Sequence, residues 1–240
     1  MQKISVGLAR SVWLFDINEL NPAGKSIFPD VLIWLGEKYS FQSFPKSIAE
    51  IDPEKKGYLF KTGQFQTDDE EITVNFSIYS DGLIAETWNS TEKGDLLLDE
   101  ILHSGAARYG LPIPTTIRKQ YVSELTVQSN YPLNNIVNPK VVAFCDTINK
   151  LFACHNLPPF EVTGIGFGLD SSSTSYKPPG LVIERKLGVP FRENRFWSKS
   201  PFATKDHLYI LEEFEKLMAG SESTNPAMRP EINRAISLED

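Results

Sequence analysis

Between residues 58 and 88 hydrophobic and polar positions alternate. In ITVNFSIY, Ile72, Val74, Phe76 and Ile78 take one side and Thr73, Asn75 and Ser77 the other, the period-two pattern of a strand with one buried face. GYLFKTGQF precedes this run across the polar stretch TDDEE, and LIAETW follows it across Asp81-Gly82, a pair suited to a tight hairpin turn. The three runs predict an antiparallel meander.

From Asn89 the period lengthens to that of a helix. Leu97, Leu98, Ile101 and Leu102 form its apolar stripe, Asn89 and Glu92 make a capping box, and Gly110 is the stop. TIRKQYVSELTVQSN returns to period two, with Tyr121, Leu125 and Val127 on one face. Asn138-Pro139 opens a further helix with proline at its first position. Its stripe of Val141, Phe144, Cys145, Ile148, Leu151 and Phe152 is expected to be buried, and Pro158-Pro159 ends it.

Strands are expected within 161–170 and 180–188, followed by a proline- and aromatic-containing connection over 189–203. A last helix, capped by Thr204, carries Leu208, Leu211, Phe214, Leu217 and Met218 as far as Gly220. The first 50 residues suggest strands at 4–8 and 12–17. A short helix starting at Pro29 is expected there too, although VLIWL at 31–35 also reads as a buried strand. Residues 221–240 lack an apolar stripe and are expected to form a flexible tail that orders against a partner.

Strands cluster and helices interrupt them singly, which predicts an α+β fold on a largely antiparallel sheet with three to four helices packed on it. No repeat at solenoid period is visible. The chain reads as one domain over 1–220, with lobes at about 1–130 and 131–220. Its 240 residues, 41% hydrophobic and 23% charged, suffice for a core without disulfide or metal. No targeting or membrane-spanning segment is read, because Arg10 and Asp16 interrupt the N-terminal apolar run and VLIWL is far too short. The expectation is a cytoplasmic protein with no membrane partner. In a reducing compartment Cys145 and Cys154, nine residues apart and facing opposite sides of one helix, are small hydrophobes rather than a disulfide.

Candidate chemistry is sparse. NPAGKS at 21–26 ends like a Walker A loop, but Glu19 stands where the first glycine is needed. Of three histidines, His103 lies one helical turn after Asp99, His155 at a helix end and His207 in the first turn of the last helix; none has the context of a catalytic triad. The run Asp68, Asp69, Glu70, Glu71 lacks the ligand spacing of a calcium loop, and Glu184 with Asp170 is at most a carboxylate pair of unknown separation. No catalytic residue, metal site or cofactor is assigned.

The net charge of −7 lowers the expectation of nucleic-acid binding over the whole surface. Residues 184–205 depart from it, with six basic residues and two acidic ones, a local charge of +4. The binding candidates there are Arg185, Phe191, Arg192, Arg195, Phe196, Trp197 and Lys199. Basic residues among aromatics suit phosphate pairing with base stacking, and the same mixture makes protein hot spots. The bland alternative turns the aromatics inward and leaves the charges solvated.

EVTGIGFGLD is not a dinucleotide loop, because its glycines are spaced G-x-G-x-G and the next element is a strand. Period two puts Gly164, Gly166 and Gly168 on one bare face, which predicts a helix or ring crossing there.

These patterns predict a non-catalytic protein that binds another macromolecule, either a protein partner or a second copy, through 189–203. The alternatives are an enzyme for an anionic or nucleotide substrate, using Arg185, Arg192, Arg195 and Glu184 or His207, and a nucleic-acid-binding module on the same basic patch.

Overall fold

The computed structural model describes residues 1–24, 28–50, 57–153, 158–170, 172 and 178–220. The chain runs β1 (Gln2–Leu14), α1 (Phe28–Lys38), β2 (Tyr58–Gln66), β3 (Glu71–Tyr79), β4 (Gly82–Thr87) and α2 (Thr91–Tyr109). It continues through β5 (Arg118–Gln128), α3 (Pro139–Phe152), β6 (Gly164–Phe167), β7 (Leu181–Arg185), β8 (Arg195–Ser200) and α4 (Thr204–Met218). All eight strands join one sheet in the order β2-β3-β4-β1-β5-β8-β7-β6, and every pairing is antiparallel. The fold is α+β, as the patterning predicts.

That strand order reads the same from either end when β1–β4 are exchanged with β5–β8. Each half is a strand, a helix, a three-strand meander and a second helix, so the chain is an internal repeat that the amino-acid pattern does not announce. The repeat boundary falls in 110–117, between α2 and β5, because β5 opens the second half. The halves meet along β1 and β5, and again where α2 and α4 begin. There the Thr91 amide donates to Thr204 Oγ1 (3.0 Å) and the Thr204 amide donates to Thr91 Oγ1 (2.8 Å), a reciprocal pair 113 residues apart. Both threonines are buried, so each hydroxyl satisfies a helix-start N–H that water does not reach.

Opposed residues of an antiparallel pair share a face. The register therefore puts Phe60, Phe76, Ala85, Ser11, Ser123, Leu125, Ser198 and Ile183 on one side of the sheet. Both buried clusters lie on this side. One joins Trp13, Phe60, Phe76 and Leu83 to Leu32 and Leu35 of α1 and Leu97, Leu98 and Ile101 of α2. The other joins Leu125, Ile183 and Phe196 to Leu211, Phe214 and Met218 of α4. The opposite face, with Arg10, Val12, Glu86, Val122, Glu124, Trp197 and Lys199, carries no second layer among the described residues.

Several local readings need correction. Residues 4–8 and 12–14 belong to one strand, kinked by register shifts between Lys3 and Ser5 and between Val6 and Leu8, and Ile17 instead opens a short 3-10 helix. VLIWL is helical. The hairpin turn is Ser80-Asp81, and Gly82 already pairs with Tyr79. Ser90 caps α2, its hydroxyl accepting from the Lys93 amide, while Thr204 is the first residue of α4 and serves α2 instead. The connection at 189–203 contains a whole strand, β8, next to the central pair. Gly166 and Gly168 have open space where a side chain would stand, so nothing described crosses the glycine face. The proposed tail, Cys154 and His155 lie outside the described residues, as do Lys25 and Ser26 of NPAGKS.

Candidate functional site

The basic and aromatic residues of 184–205 do not form one surface. Phe196 is fully buried in the second core and touches no solvent. Arg185 is pinned: Nε donates to the Val162 carbonyl (3.1 Å), Nη1 to the Phe191 carbonyl (2.9 Å), and Nη2 meets Glu161 at 3.4 Å. Its guanidinium lies 4.4 Å from the centre of the Phe191 ring. Burial lowers its pKa while Glu161 opposes that shift, and the group serves as a clasp joining 161–162, β7 and 191. Alternation along β7 and β8 puts Arg185 on the helix face with Phe196, and Arg195, Trp197 and Lys199 on the open face. Arg192 is exposed in the short turn between the two strands.

The charges that do reach the open face are largely neutralised there. Lys199 pairs with Glu124 at 2.9 Å, Arg195 with Glu193 at 3.5 Å, and Arg10 hydrogen-bonds Glu86 through Nε at 2.8 Å. Glu193 is already part of the local +4, so among the described residues only Glu124 beside Lys199 and Glu161 beside Arg185 reduce it, to +2, and Arg185 and Arg195 lie on opposite faces of the sheet.

His207 does meet serines, in an arrangement that is structural. Ser198 Oγ donates its only proton to the Val182 carbonyl (2.7 Å), so at 2.8 Å from His207 Nε2 it accepts from the imidazole. The Ser123 hydroxyl, 3.1 Å from Nδ1, then donates to the ring. A serine nucleophile must instead give its proton to the imidazole. All three residues are fully buried, and desolvation pushes the His207 pKa down to about 4, which keeps the ring neutral. Asp95 is similarly occupied: it accepts from Trp13 Nε1 (2.8 Å) and Tyr121 Oη (2.9 Å), and burial followed by this carboxylate pushes the Tyr121 pKa up.

Among the described residues no group of three or more His, Cys, Asp or Glu is placed to hold a metal, and no helix is long and apolar enough to cross a membrane. His103 stays on the surface against Asp99, 3.3 Å away.

The exposed feature of greatest weight is α3. Asn138 and Pro139 start it as the sequence predicts, with Asn138 Oδ1 accepting from the Lys140 amide at 2.9 Å. None of its residues is buried, against expectation. Its inner side rests on 159–162, where Asn149 Oδ1 accepts from the Phe160 amide (2.6 Å), Asn149 Nδ2 donates to the Phe160 carbonyl (3.2 Å), and the Phe152 and Phe160 rings meet at 5.0 Å. Its outer side presents Val141, Phe144 and Leu151, with Phe144 63% and Leu151 75% exposed. Sequence reasoning found this stripe and gave it the wrong surroundings.

No protein-family model and no curated protein matches the sequence. Solved structures similar in fold include Methanococcus jannaschii TBP, with 13% identity and a TM-score of 0.43 over 91% of this chain and 98% of that one. A likeness of that degree carries no argument about what the chain does.

Proposed function

We propose that the protein is a non-catalytic binding module whose docking surface is the outer face of α3, in place of the 189–203 segment. The observation that supports this is the exposure of Val141, Phe144 and Leu151 in one helical stripe. Scattered single apolar residues on a surface are ordinary, whereas a contiguous stripe marks a contact. Fully buried serines and histidine, and arginines already held by carbonyls and carboxylates, give the enzyme reading no support.

The test replaces Phe144 and Leu151 together with glutamate in the full chain. Expected are an unchanged far-UV spectrum and a loss of bound protein, read as particle mass and as recovery of partners on a tagged bait. Assembly and recovery equal to the parent chain would remove α3 from consideration.

A nucleic-acid reading retains one favourable observation, the placement of Arg10, Arg118, Arg195 and Lys199 on the same open face as Trp197. It predicts retention on an oligonucleotide that falls steeply as salt rises. Retention that is absent at low salt removes it.

A further inference from the structure

We infer that the occupant of this surface is a second copy of the chain, with α3 of each protomer lying across the exposed outer end of β6, at Phe167 and Leu169, in the other. This rests on the reading of α3 as the docking surface and adds who docks and where.

The first half shows what such a helix is for. There α1 packs its apolar side, Leu32 and Leu35, directly on the helix face of β2, β3 and β4. By chain order and strand order, α3 is the counterpart of α1, and β6 and β7 are the counterparts of β2 and β3. In the second half α4 already covers Ile183 and Ile165, and among the described residues α3 and the outer end of β6 stay open. On the helix face of β6, opposite the partly buried Leu181, Phe167 is 51% exposed, and Leu169 just beyond it is exposed as well. One protomer therefore carries both an uncovered helix and an uncovered piece of sheet, each of the kind that the first half buries against the other.

A reciprocal exchange covers both at once, and a two-fold pair needs such a self-complementary surface. The exposed apolar side chains on α3, at Phe160 and at the end of β6 come to roughly 800 Å² per protomer, about one partner's share of a standard stable interface. The edge is available too. β2 and β6 are the two terminal strands; Lys61 on β2 exchanges backbone hydrogen bonds with Gln42 and Ser43, whereas among the described residues β6 pairs with β7 alone.

The experiment measures the mass of the full chain by sedimentation across a concentration series, for the parent, for Phe144→Glu and for Phe167→Glu. The parent should be a dimer. Each variant, changed at an exposed position, should keep its spectrum and pair at least about 30-fold more weakly, the loss typical of a hot-spot residue. Mixing the two variants should restore dimers in part, because one chain then supplies an intact helix and the other an intact sheet end. A parent that stays monomeric overturns the inference. So do variants whose mixture recovers nothing, since helix-to-helix pairing would behave that way. A monomeric parent that loses a different bound protein on Phe144→Glu would leave the docking surface standing and remove only the second copy.

Discussion

α1 and α3 occupy the same place in the two repeats, and only one of them is buried. Both have an apolar stripe and a proline in the first turn, Pro29 and Pro139. They differ in the platform beneath them. β2 and β3 are nine residues each and turn Phe60, Phe65, Ile72, Val74, Phe76 and Ile78 toward the helices. β6 and β7 have four and five residues, and offer Ile165, Phe167, Leu181 and Ile183. A helix is held by the apolar area it covers, at about 25 cal/mol per Å², so the shorter platform holds less. The lesson is that an amphipathic pattern states that a helix needs an apolar partner, and leaves open which chain provides it.

The sharpest way to break this contrast is a matched pair of truncations. Leu35→Ala on α1 removes a nearly fully buried side chain and should cost about 2–5 kcal/mol. Leu151→Ala on α3 should change stability by no more than about 0.5 kcal/mol in a chain dilute enough to be monomeric. Urea unfolding of both, at that dilution, checks it. Equal losses would mean that α3 is packed within its own chain.

The contrast also marks what the sequence could and could not carry. The meander, the helix starts at Asn138 and Ser90 to within a residue, and the α+β class follow from local periodicity and capping, which are written in neighbouring residues. The repeat was hidden because it lies in topology: Thr91 and Thr204 bond each other across 113 positions, and only the sheet order shows them to be equivalent. The basic segment misled for a related reason. A count along 184–205 omits Glu124, which β5 brings alongside Lys199, and Glu161, which meets Arg185, so half of the summed charge is paired from outside the segment. Trp197 and Phe196 are neighbours in sequence and sit on opposite faces of the sheet. Exposure of α3 was illegible because its stripe is as apolar as one that is buried.

The second test concerns the first turns of α2 and α4, where Gly94 and His207 correspond. At Gly94 a Cβ would stand 2.9 Å from Ser11 Oγ, so the helix lies directly on β1. His207 instead spaces α4 from the sheet by an imidazole bonded to Ser123 and Ser198. The folded pKa of about 4 is below the ordinary 6.5, so as pH falls below 6.5 the unfolded chain takes up a proton that the folded chain refuses. Stability from this group is full above about pH 6.5 and declines toward pH 4, by at most roughly 3 kcal/mol. His207→Gln, which does not titrate, should flatten that part of the slope in urea midpoints compared at pH 7 and pH 4.5. An unchanged slope would place the acid sensitivity elsewhere.

The smallest effect expected is a gain, where Gly105 on α2 corresponds to Met218 on α4. Met218 is buried and completes the second core. Gly105 instead borders a cavity of about 80 Å³ lined by Phe28, Val31, Leu35, Phe76 and Leu102. A Cβ there would come within 3.1 Å of Leu111 Cδ1. That atom is the end of a side chain that also borders the cavity and has room to yield. Alanine is favoured over glycine by about 1 kcal/mol inside a helix, and the methyl fills part of the empty space. Gly105→Ala should therefore raise stability by about 0.5–1 kcal/mol, seen as a higher thermal midpoint. A lower midpoint would show that Leu111 is held rigidly and that the cavity gives it no room to move.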